Sequence, residues 1–206
     1  MSELKSVFKR GYKVMKKKDE EIEEKKKSNI SRFFMKPEEE KTVIFLDDDP
    51  LVVEEHQVWE DKRPQYFTCL KMWSEPCPLC KRKHKASTVG YYSVICRTPY
   101  EDSKGKVHKN EKMLFGTKVT ASRKMRRLSK EHEGLIGVEF KIYRDSKNDP
   151  TTGSDFKFIK RYEIDYLISK GLDATPCDYD AVFAPKNIEE YEEVEFTEYG
   201  KGKNKP

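Results

Sequence analysis

The sequence predicts a mostly β fold of five to seven short strands, arranged as a small barrel or a sandwich. Short runs rich in β-branched and aromatic residues recur between residues 41 and 164, and turn residues separate them. Helical patterns are confined to a charged N-terminal arm, one basic segment and a short segment near the C-terminus. The 206 residues include 11 Phe and 11 Tyr, which supply enough apolar area for one core.

The first three predicted strands lie close together in the chain. KTVIFLDDD (41–49) is a β-branched and aromatic run that three aspartates and Pro50 end. LVVEEHQVW (51–59) and QYFTCL (65–70) have the same character, and the charged loop EDKRP joins them. We therefore expect these two runs to lie side by side, with a cysteine-bearing loop after the third strand.

The later elements follow from the same signals. LIGVEFKIYRD alternates clearly, with Val138, Phe140 and Ile142 on one face and Lys141 and Tyr143 on the other. The basic segment 121–134 ends at Gly134, which is typical of a helix terminus. Further strands are predicted at 87–97, 112–120, 135–145 and 155–164, and short helices at 121–134 and 166–171.

The charges are distributed unevenly along the chain. Lys81–Lys130 contains fifteen Lys or Arg and three acidic residues, a net charge of +12. Asp173–Glu198 contains nine acidic residues and one Lys, a net charge of −8. We therefore predict a charged N-terminal arm (1–30), a core (31–172) and an acidic C-terminal tail (173–206). This asymmetry is typical of a polyanion-binding protein whose tail contacts other proteins, and an ordinary solvated surface is the alternative.

The sequence has no feature of a membrane or secreted protein. No stretch approaches about 18 uncharged apolar residues, and the N-terminus lacks the apolar run of a signal peptide. We therefore expect an intracellular protein that keeps its thiols reduced, and no membrane partner. In such a compartment, clustered cysteines favour a metal site over disulfides.

Cysteines and histidines between residues 56 and 84 form a candidate zinc site. Cys77 and Cys80 are a tight C-x₂-C pair, and Cys69 is a natural third ligand. The fourth ligand is either His56 or His84, and the residues alone leave this open. The alternatives are three reduced cysteines without metal, or a redox pair, although the βαβ context of a redox pair is absent. Four side-chain ligands would make one structural Zn²⁺ site without catalytic water.

Aromatic and basic residues are interleaved along the predicted strands. Stacking on bases and neutralisation of phosphates would suit single-stranded nucleic acid without sequence preference. The alternative is that many of these aromatic residues form the core. Our candidate DNA-binding residues are Tyr91, Tyr92, Arg97, Lys109, Lys112, Phe115, Lys118, Tyr143, Arg144, Phe158, Lys160 and Tyr162.

No pattern of an enzyme is recognisable in the sequence. There is no nucleophile–base arrangement and no glycine-rich phosphate loop at a known spacing. Three aspartates before Pro50 are typical of a strand end and turn rather than of a nuclease centre. We therefore expect a binding protein, with a zinc-ribbon protein that docks on RNA polymerase in transcription as the alternative.

The chain resembles the single-stranded DNA-binding proteins of T-even and related tailed phages. Their zinc motif is His, twelve residues, Cys, a short gap and Cys-x₂-Cys, and twelve residues separate His56 from Cys69 here. GYYSVIC, GKVHKNEKMLFG and VEFKIYRD…DFKF resemble later segments of the family, so the resemblance covers about residues 40–165.

The resemblance implies a five-stranded oligonucleotide-binding (OB) barrel with an inserted zinc subdomain and flanking short helices. It selects His56, with Cys69, Cys77 and Cys80, as the zinc ligands. It also implies a role in phage DNA replication, recombination and repair, in the cytoplasm of a bacterial host. Self-association along DNA through the N-terminal arm and recruitment of replication proteins through the acidic tail are the further expected interactions.

Overall fold

The computed structural model describes residue 16 and residues 30–60, 63–102 and 105–194, and these residues form a mostly β protein. The predicted N-terminal arm, apart from Lys16 and Ile30, and residues 195–206 of the predicted tail lie outside the described residues. The strands are β1 (Glu39–Phe45), β2 (Leu51–Glu60), β3 (Arg63–Thr68), β4 (Ser87–Cys96), β5 (Tyr100–Glu101), β6 (Val107–His108), β7 (Glu111–Lys118), β8 (Val138–Arg144) and β9 (Asp155–Arg161). The helices are a 3₁₀ helix (Leu70–Trp73), α1 (Pro78–Lys81), α2 (Val119–Glu131), α3 (Ile164–Ser169), α4 (Tyr179–Val182) and α5 (Ile188–Glu192).

Seven strands form one antiparallel sheet with β4 at its centre. β7 pairs with one edge of β4 along its whole length, from Val89–Lys118 to Cys96–Glu111. The other edge of β4 is shared, because β2 pairs with its first half and β1 with its second half. β3 extends the sheet beyond β2, and β8 and β9 extend it beyond β1. β5 and β6 form a separate small hairpin.

The main core lies on one face of this sheet. Phe45, Phe115 and Phe140 pack edge to face there, with ring centroids 5.2 and 5.9 Å from Phe45. α2 covers this face through Met125 and Leu128, which are both buried. Burial of Val138, Phe140 and Ile142 confirms the alternation that the sequence of β8 predicts.

A smaller cluster covers the opposite face of β1 and β4. Ile44 and Ile95 are fully buried there against Leu167 of α3 and against Ala174. The central strand β4 is therefore buried on both faces from Tyr91 to Cys96. This double cover matters for the candidate site, because it leaves no exposed face on this part of β4.

The described sheet is open, so the expected closed barrel is not seen. Within the described ranges, β7 pairs with β4 alone among the strands, and β9 pairs with β8 alone. The segment before β1 partly spans the gap: the Phe33 N–H donates to the Leu114 carbonyl at 2.8 Å, and the Met35 N–H to the Thr151 carbonyl at 2.8 Å. The mostly β class with short helices is confirmed, and the closure is not.

Residues 173–194 pack on the body of the protein rather than forming a separate tail. Cys177 and Phe183 are buried beside Tyr91. Tyr191 of α5 is fully buried, and its hydroxyl donates to the Thr68 carbonyl at 2.8 Å. The ordered body therefore continues beyond the predicted boundary at residue 172, at least to Val194. The acidic residues of α5 point outward, while its one tyrosine anchors the helix.

Candidate metal centre and nucleic-acid interface

His56, Cys69, Cys77 and Cys80 come together at the base of the β2–β3 hairpin. Their ligand atoms all lie within 4.8 Å of one another. The His56 Nε2 atom lies 3.4 Å from the Cys77 Sγ atom and 3.6 Å from the Cys80 Sγ atom. The Cys69 and Cys80 sulfurs are 3.6 Å apart. All five cysteines of the chain are free thiols, so no disulfide competes for these ligands.

The local sequence explains why these four side chains meet. His56 lies opposite Phe67 in the β2–β3 ladder, and Cys69 follows directly after β3. The 3₁₀ helix then turns the chain back towards α1. Pro78 occupies the first turn of α1, where its missing N–H costs no hydrogen bond. The Lys81 N–H donates to the Cys77 carbonyl at 3.0 Å, which closes the turn between the two cysteines.

The geometry fits a tetrahedral ion. A Zn²⁺ at about 2.3 Å from sulfur and about 2.0 Å from nitrogen would place two sulfurs about 3.8 Å apart, and sulfur and nitrogen about 3.5 Å apart. The observed sulfur–sulfur distance is 3.6 Å and the sulfur–nitrogen distances are 3.4 and 3.6 Å. These three distances match a tetrahedral site, and all four ligand atoms lie within 4.8 Å of one another, so this buried cluster could hold a metal ion.

Burial also sets the protonation of the cluster. It lowers the pKa of His56 to about 4, with the neighbouring His84 and Lys71 adding to the effect, so the imidazole is neutral as a ligand must be. Burial raises the pKa of the Cys69 thiol to about 12. Burial opposes ionisation of Cys77 as well, but backbone hydrogen bonds from Cys80, Leu70 and Leu79 lower its pKa overall. These hydrogen bonds favour the thiolate form of Cys77, which is the form that binds metal.

His84 lies beside the four-residue group rather than in it. Its Nδ1 atom is 3.2 Å from the Nδ1 atom of His56, on the side of the His56 ring away from the cysteines. The choice that the residues alone left open is therefore decided for His56. A partner on the second ring nitrogen fixes the orientation of a ligating histidine, and His84 is placed to do this.

The face of the β2–β3 hairpin opposite the metal cluster forms one wall of a cleft. Glu55, Gln57 and Tyr66 contribute from this hairpin, since alternate residues of β2 point to opposite faces. The cleft has a volume of about 450 Å³. Its other walls comprise Arg32, Phe33 and Phe34 before β1, Val89, Tyr91, Leu114, Gly116, Lys118 and Ala121 from β4, β7 and α2, and Arg144 and Lys147–Thr152 from the β8–β9 connection.

Arg32 and Tyr66 form a stacked pair within the cleft. The Arg32 guanidinium lies 3.5 Å from the Tyr66 ring centroid. It donates to the Glu55 carboxylate at 2.8 and 3.1 Å and also to the Tyr91 hydroxyl. Burial disfavours the charge, but the hydrogen bond with Glu55 raises the pKa of Arg32 overall. The arrangement holds a cation flat on an aromatic ring.

Four of the predicted DNA-binding residues are buried, and we remove them from the candidate set. Tyr91, Tyr92 and Phe115 are at most 3% exposed, because β4 and the middle of β7 are covered. A ring without an exposed face cannot stack on a base. Arg144 is also buried, and its guanidinium donates to the carbonyls of Met35 at 2.6 Å and Lys147 at 3.2 Å. Its role is to fix the chain around the cleft.

The structure does not bring the other eight candidates together. Lys118 is exposed and lines the cleft. Arg97 forms a salt bridge with Glu139 at 3.7 Å, and Lys112 forms one with Asp173 at 2.7 Å. Three candidates lie towards the sheet face that α3 covers, opposite α2: Tyr143, Lys160 and Tyr162. Phe158 is exposed at the edge of the main core, and Lys109 lies in the loop before β7.

Sequence reasoning did not place Arg32, Phe34 and Tyr66 among the candidate contacts. Arg32 and Phe34 lie in a segment without any periodic pattern. Tyr66 had a recognisable signal, because it alternates with Phe67 in β3 and must face away from the metal cluster. Phe34 is 53% exposed, so its ring is available beside the cleft.

No family model, no curated protein and no solved structure matches this chain. The resemblance to phage DNA-binding proteins therefore stays a prediction. Among the helices that the structure describes, none combines the length and apolar character needed to cross a membrane.

Proposed function

We propose that this chain is a single-stranded DNA-binding protein whose cleft is supported by a structural zinc ion. The observation that carries the proposal is the cleft itself, which combines the rings of Tyr66 and Phe34 with the cations Lys118 and Lys147. Rings stack on bases, and cations neutralise phosphates. Flat rings accept any base, so the proposed binding has no strong sequence preference.

The charge of the cleft favours a polyanion. Its lining contains four cationic side chains, Arg32, Lys118, Arg144 and Lys147, and two acidic ones, Glu55 and Asp149. Glu55 is already neutralised by Arg32. The remaining positive field would attract a phosphate backbone at low and physiological salt.

Zinc is the proposed metal because three thiolates and one imidazole in a closed tetrahedral set are typical of structural zinc sites. His56, Cys69, Cys77 and Cys80 would hold it. The ion would neutralise the buried thiolates and fix the hairpin whose other face carries Gln57 and Tyr66. Metal binding and the shape of the cleft are thus coupled through a single hairpin.

An OB barrel and a role in phage DNA replication, recombination and repair belong to the same proposal. Support for the barrel comes from residues 31–35, which hydrogen-bond both to β7 and to the loop after β8. We further propose that the protein acts in the cytoplasm of a bacterial host. Self-association along DNA through the N-terminal arm, and contacts of the acidic C-terminal residues with replication proteins, complete the proposal.

Tyr66→Ala is expected to weaken binding of a single-stranded oligo-dT about 5- to 150-fold. The reason is the loss of one stacking interaction, which contributes roughly 1–3 kcal/mol per base. Fluorescence anisotropy of a labelled oligonucleotide measures the effect, and thermal unfolding shows whether the variant is folded. A duplex of the same length is expected to bind more weakly than the single strand, because its bases cannot stack on the rings.

Tyr143→Ala is the matched control, since Tyr143 is exposed but lies outside the cleft. It is expected to bind like the wild type. Unchanged affinity of Tyr66→Ala, in a protein that does bind single strands, would show that the cleft is not the site. Preferential binding of the duplex would contradict the proposal and favour the transcription alternative.

A further inference from the structure

One exposed face of helix α2 carries a stripe of four cations, Arg123, Arg126, Arg127 and Lys130. Their spacing of i, i+3, i+4 and i+7 aligns them along the helix axis. The opposite face of α2 is apolar, and it packs on the main core. Among the described residues, none of these four cations forms a salt bridge within 4.0 Å. They therefore present a row of positive charge to solvent.

Helix α2, which carries this stripe on its outer face, begins at the cleft. Lys118, which precedes α2, and Ala121, in its first turn, both line the cleft. The 13 residues of α2 rise about 20 Å from there. The stripe itself, from Arg123 to Lys130, spans about 10 Å. At the stacked spacing of roughly 3.4 Å per nucleotide, that is the length of about three phosphates.

An aromatic platform lies at the other end of α2. The His132 ring, directly after the helix, stacks on Phe158 of β9, with centroids 4.6 Å apart and an angle of 13° between the planes. Phe158 stays 44% exposed despite this contact. Along the axis of α2, the cleft therefore lies near the first turn, the cationic stripe lies in the middle, and the exposed Phe158 ring lies near the end.

We propose that a single-stranded polynucleotide leaves the cleft along α2, with its phosphates on Arg123, Arg127 and Lys130 and a base on Phe158. This inference rests on the proposed function and extends the binding site beyond the cleft. The arrangement favours a strand over a compact anion, because the cations form a row and an apolar ring lies near the end of the same helix. The strand must be longer than the cleft to reach that ring.

Lys124 shows why only one face of the helix takes part. It lies on the flank of α2, where its ammonium group donates to the Ser154 carbonyl and lies 5.0 Å from the Phe156 ring centroid. These contacts assign Lys124 to the attachment of the helix. Arg126 lies towards the aspartate-rich loop: burial, Asp49 and Asp47 raise the pKa of Tyr92, and Arg126 opposes this rise. The three outermost cations are therefore the ones to test.

The test compares oligonucleotides of two lengths. A variant with Arg123→Gln, Arg127→Gln and Lys130→Gln removes three charges but keeps polar side chains of similar helix propensity. For (dT)16, the slope of log affinity against log salt should become shallower by about 2. When salt falls from 1 M to 0.1 M, the affinity of the variant should therefore rise about 100-fold less than that of the wild type. For (dT)4, which the cleft alone can bind, affinity should change less than about twofold. Phe158→Ala should weaken (dT)16 about 5- to 150-fold and leave (dT)4 unchanged.

The charge-matched control replaces Lys141, Lys160 and Lys170 with Gln, on the side of the sheet that α3 covers. Wild-type behaviour of this control supports a defined path. Equal losses in both triple variants would mean a general electrostatic field and would overturn the inference. A wild-type slope in the α2 variant would also overturn the inference. If Tyr66→Ala bound more weakly than the wild type in that case, the proposal for the cleft would stand. Failure of the wild type to bind either oligonucleotide would instead overturn the proposed function.

Discussion

Replacement of His56 by alanine is expected to release the metal ion and to lower the melting temperature by roughly 8–16 °C. An ion present at about 1,000 times its dissociation constant stabilises the folded state by about 4 kcal/mol. For a protein of this size, each kcal/mol corresponds to about 2–4 °C. His56 is fully buried and is the one nitrogen donor of the four-residue cluster, so alanine at this position leaves three cysteines. Elemental analysis and differential scanning calorimetry measure the two effects.

His84→Ala is the control for this experiment. It removes the neighbour of the His56 ring but none of the four ligands. The variant should keep one equivalent of metal, with an affinity about 10- to 100-fold lower, which competition with a chromophoric chelator measures. A chelator should lower the melting temperature of the wild type and leave that of His56→Ala unchanged. Loss of the ion from His84→Ala with retention in His56→Ala would reverse the assignment of the ligands.

Phe115→Ala is expected to cost about 3–5 kcal/mol of unfolding free energy, because it opens a cavity in the main core. The Phe115 ring is fully buried, with its centroid 5.4 Å from that of Phe33 and 5.2 Å from that of Phe45. Urea denaturation measures the loss. Under conditions where the variant stays folded, its affinity for a single strand should match the wild type, since the ring has no exposed face.

Phe34→Ala should show the opposite pattern and serves as the matched control. Its ring is more than half exposed beside the cleft, so stability should change by less than about 0.5 kcal/mol. Its affinity for oligo-dT should fall by the loss of one stacking contact. If a folded Phe115→Ala variant no longer bound DNA, the assignment of Phe115 to the core rather than to the binding site would be wrong.

The strand pattern was the most predictable part of the fold. All seven predicted strands lie in the main sheet, and the basic segment 121–134 forms α2. Runs such as TVIF and YYSVIC have few other ways to bury their side chains, so their local pattern decides their structure. The third strand ends at Thr68 instead of Leu70, because the chain turns there to bring Cys69 to the metal cluster. Residues 31–35, which partly span the gap in the open sheet, carry no strand pattern.

The metal cluster was predictable from the spacing of its cysteines, whereas the residues alone left the fourth ligand open and only the resemblance selected His56. His56 and His84 are both near enough in the chain to reach the cysteines. The strand geometry of β2 decides between them, because it directs the His56 ring towards Cys77 and Cys80. The spacing of residues cannot express this direction.

The residues of the proposed nucleic-acid interface were the least predictable, because exposure depends on which elements cover a strand. Tyr91 and Tyr92 point to opposite faces of β4, and both faces are covered. α2 covers Tyr92, and Cys177 and Phe183 cover Tyr91. Both covers come from distant parts of the chain, so the sequence of β4 does not reveal them. Arg32 and Tyr66 are likewise separated by a long stretch of chain and meet only through packing.

The acidic C-terminal region was predicted as a tail because its apolar residues are few and isolated. Tyr191 is nevertheless fully buried, and the Arg82 side chain donates to the Val194 carbonyl at 2.7 Å. A single aromatic anchor and a few hydrogen bonds suffice to attach this region. Such anchors have no periodicity that a sequence reading could detect.

The central claim, that the protein binds single-stranded DNA through cations and stacking rings, is tested most directly by titrating the intrinsic Trp and Tyr fluorescence of the metal-loaded protein with oligo-dT at several salt concentrations. We expect a saturable fluorescence change, and an affinity that falls with salt with a log–log slope of about −0.7 for each phosphate contacted. Absence of a saturable change, or an affinity that does not depend on salt, would contradict the account.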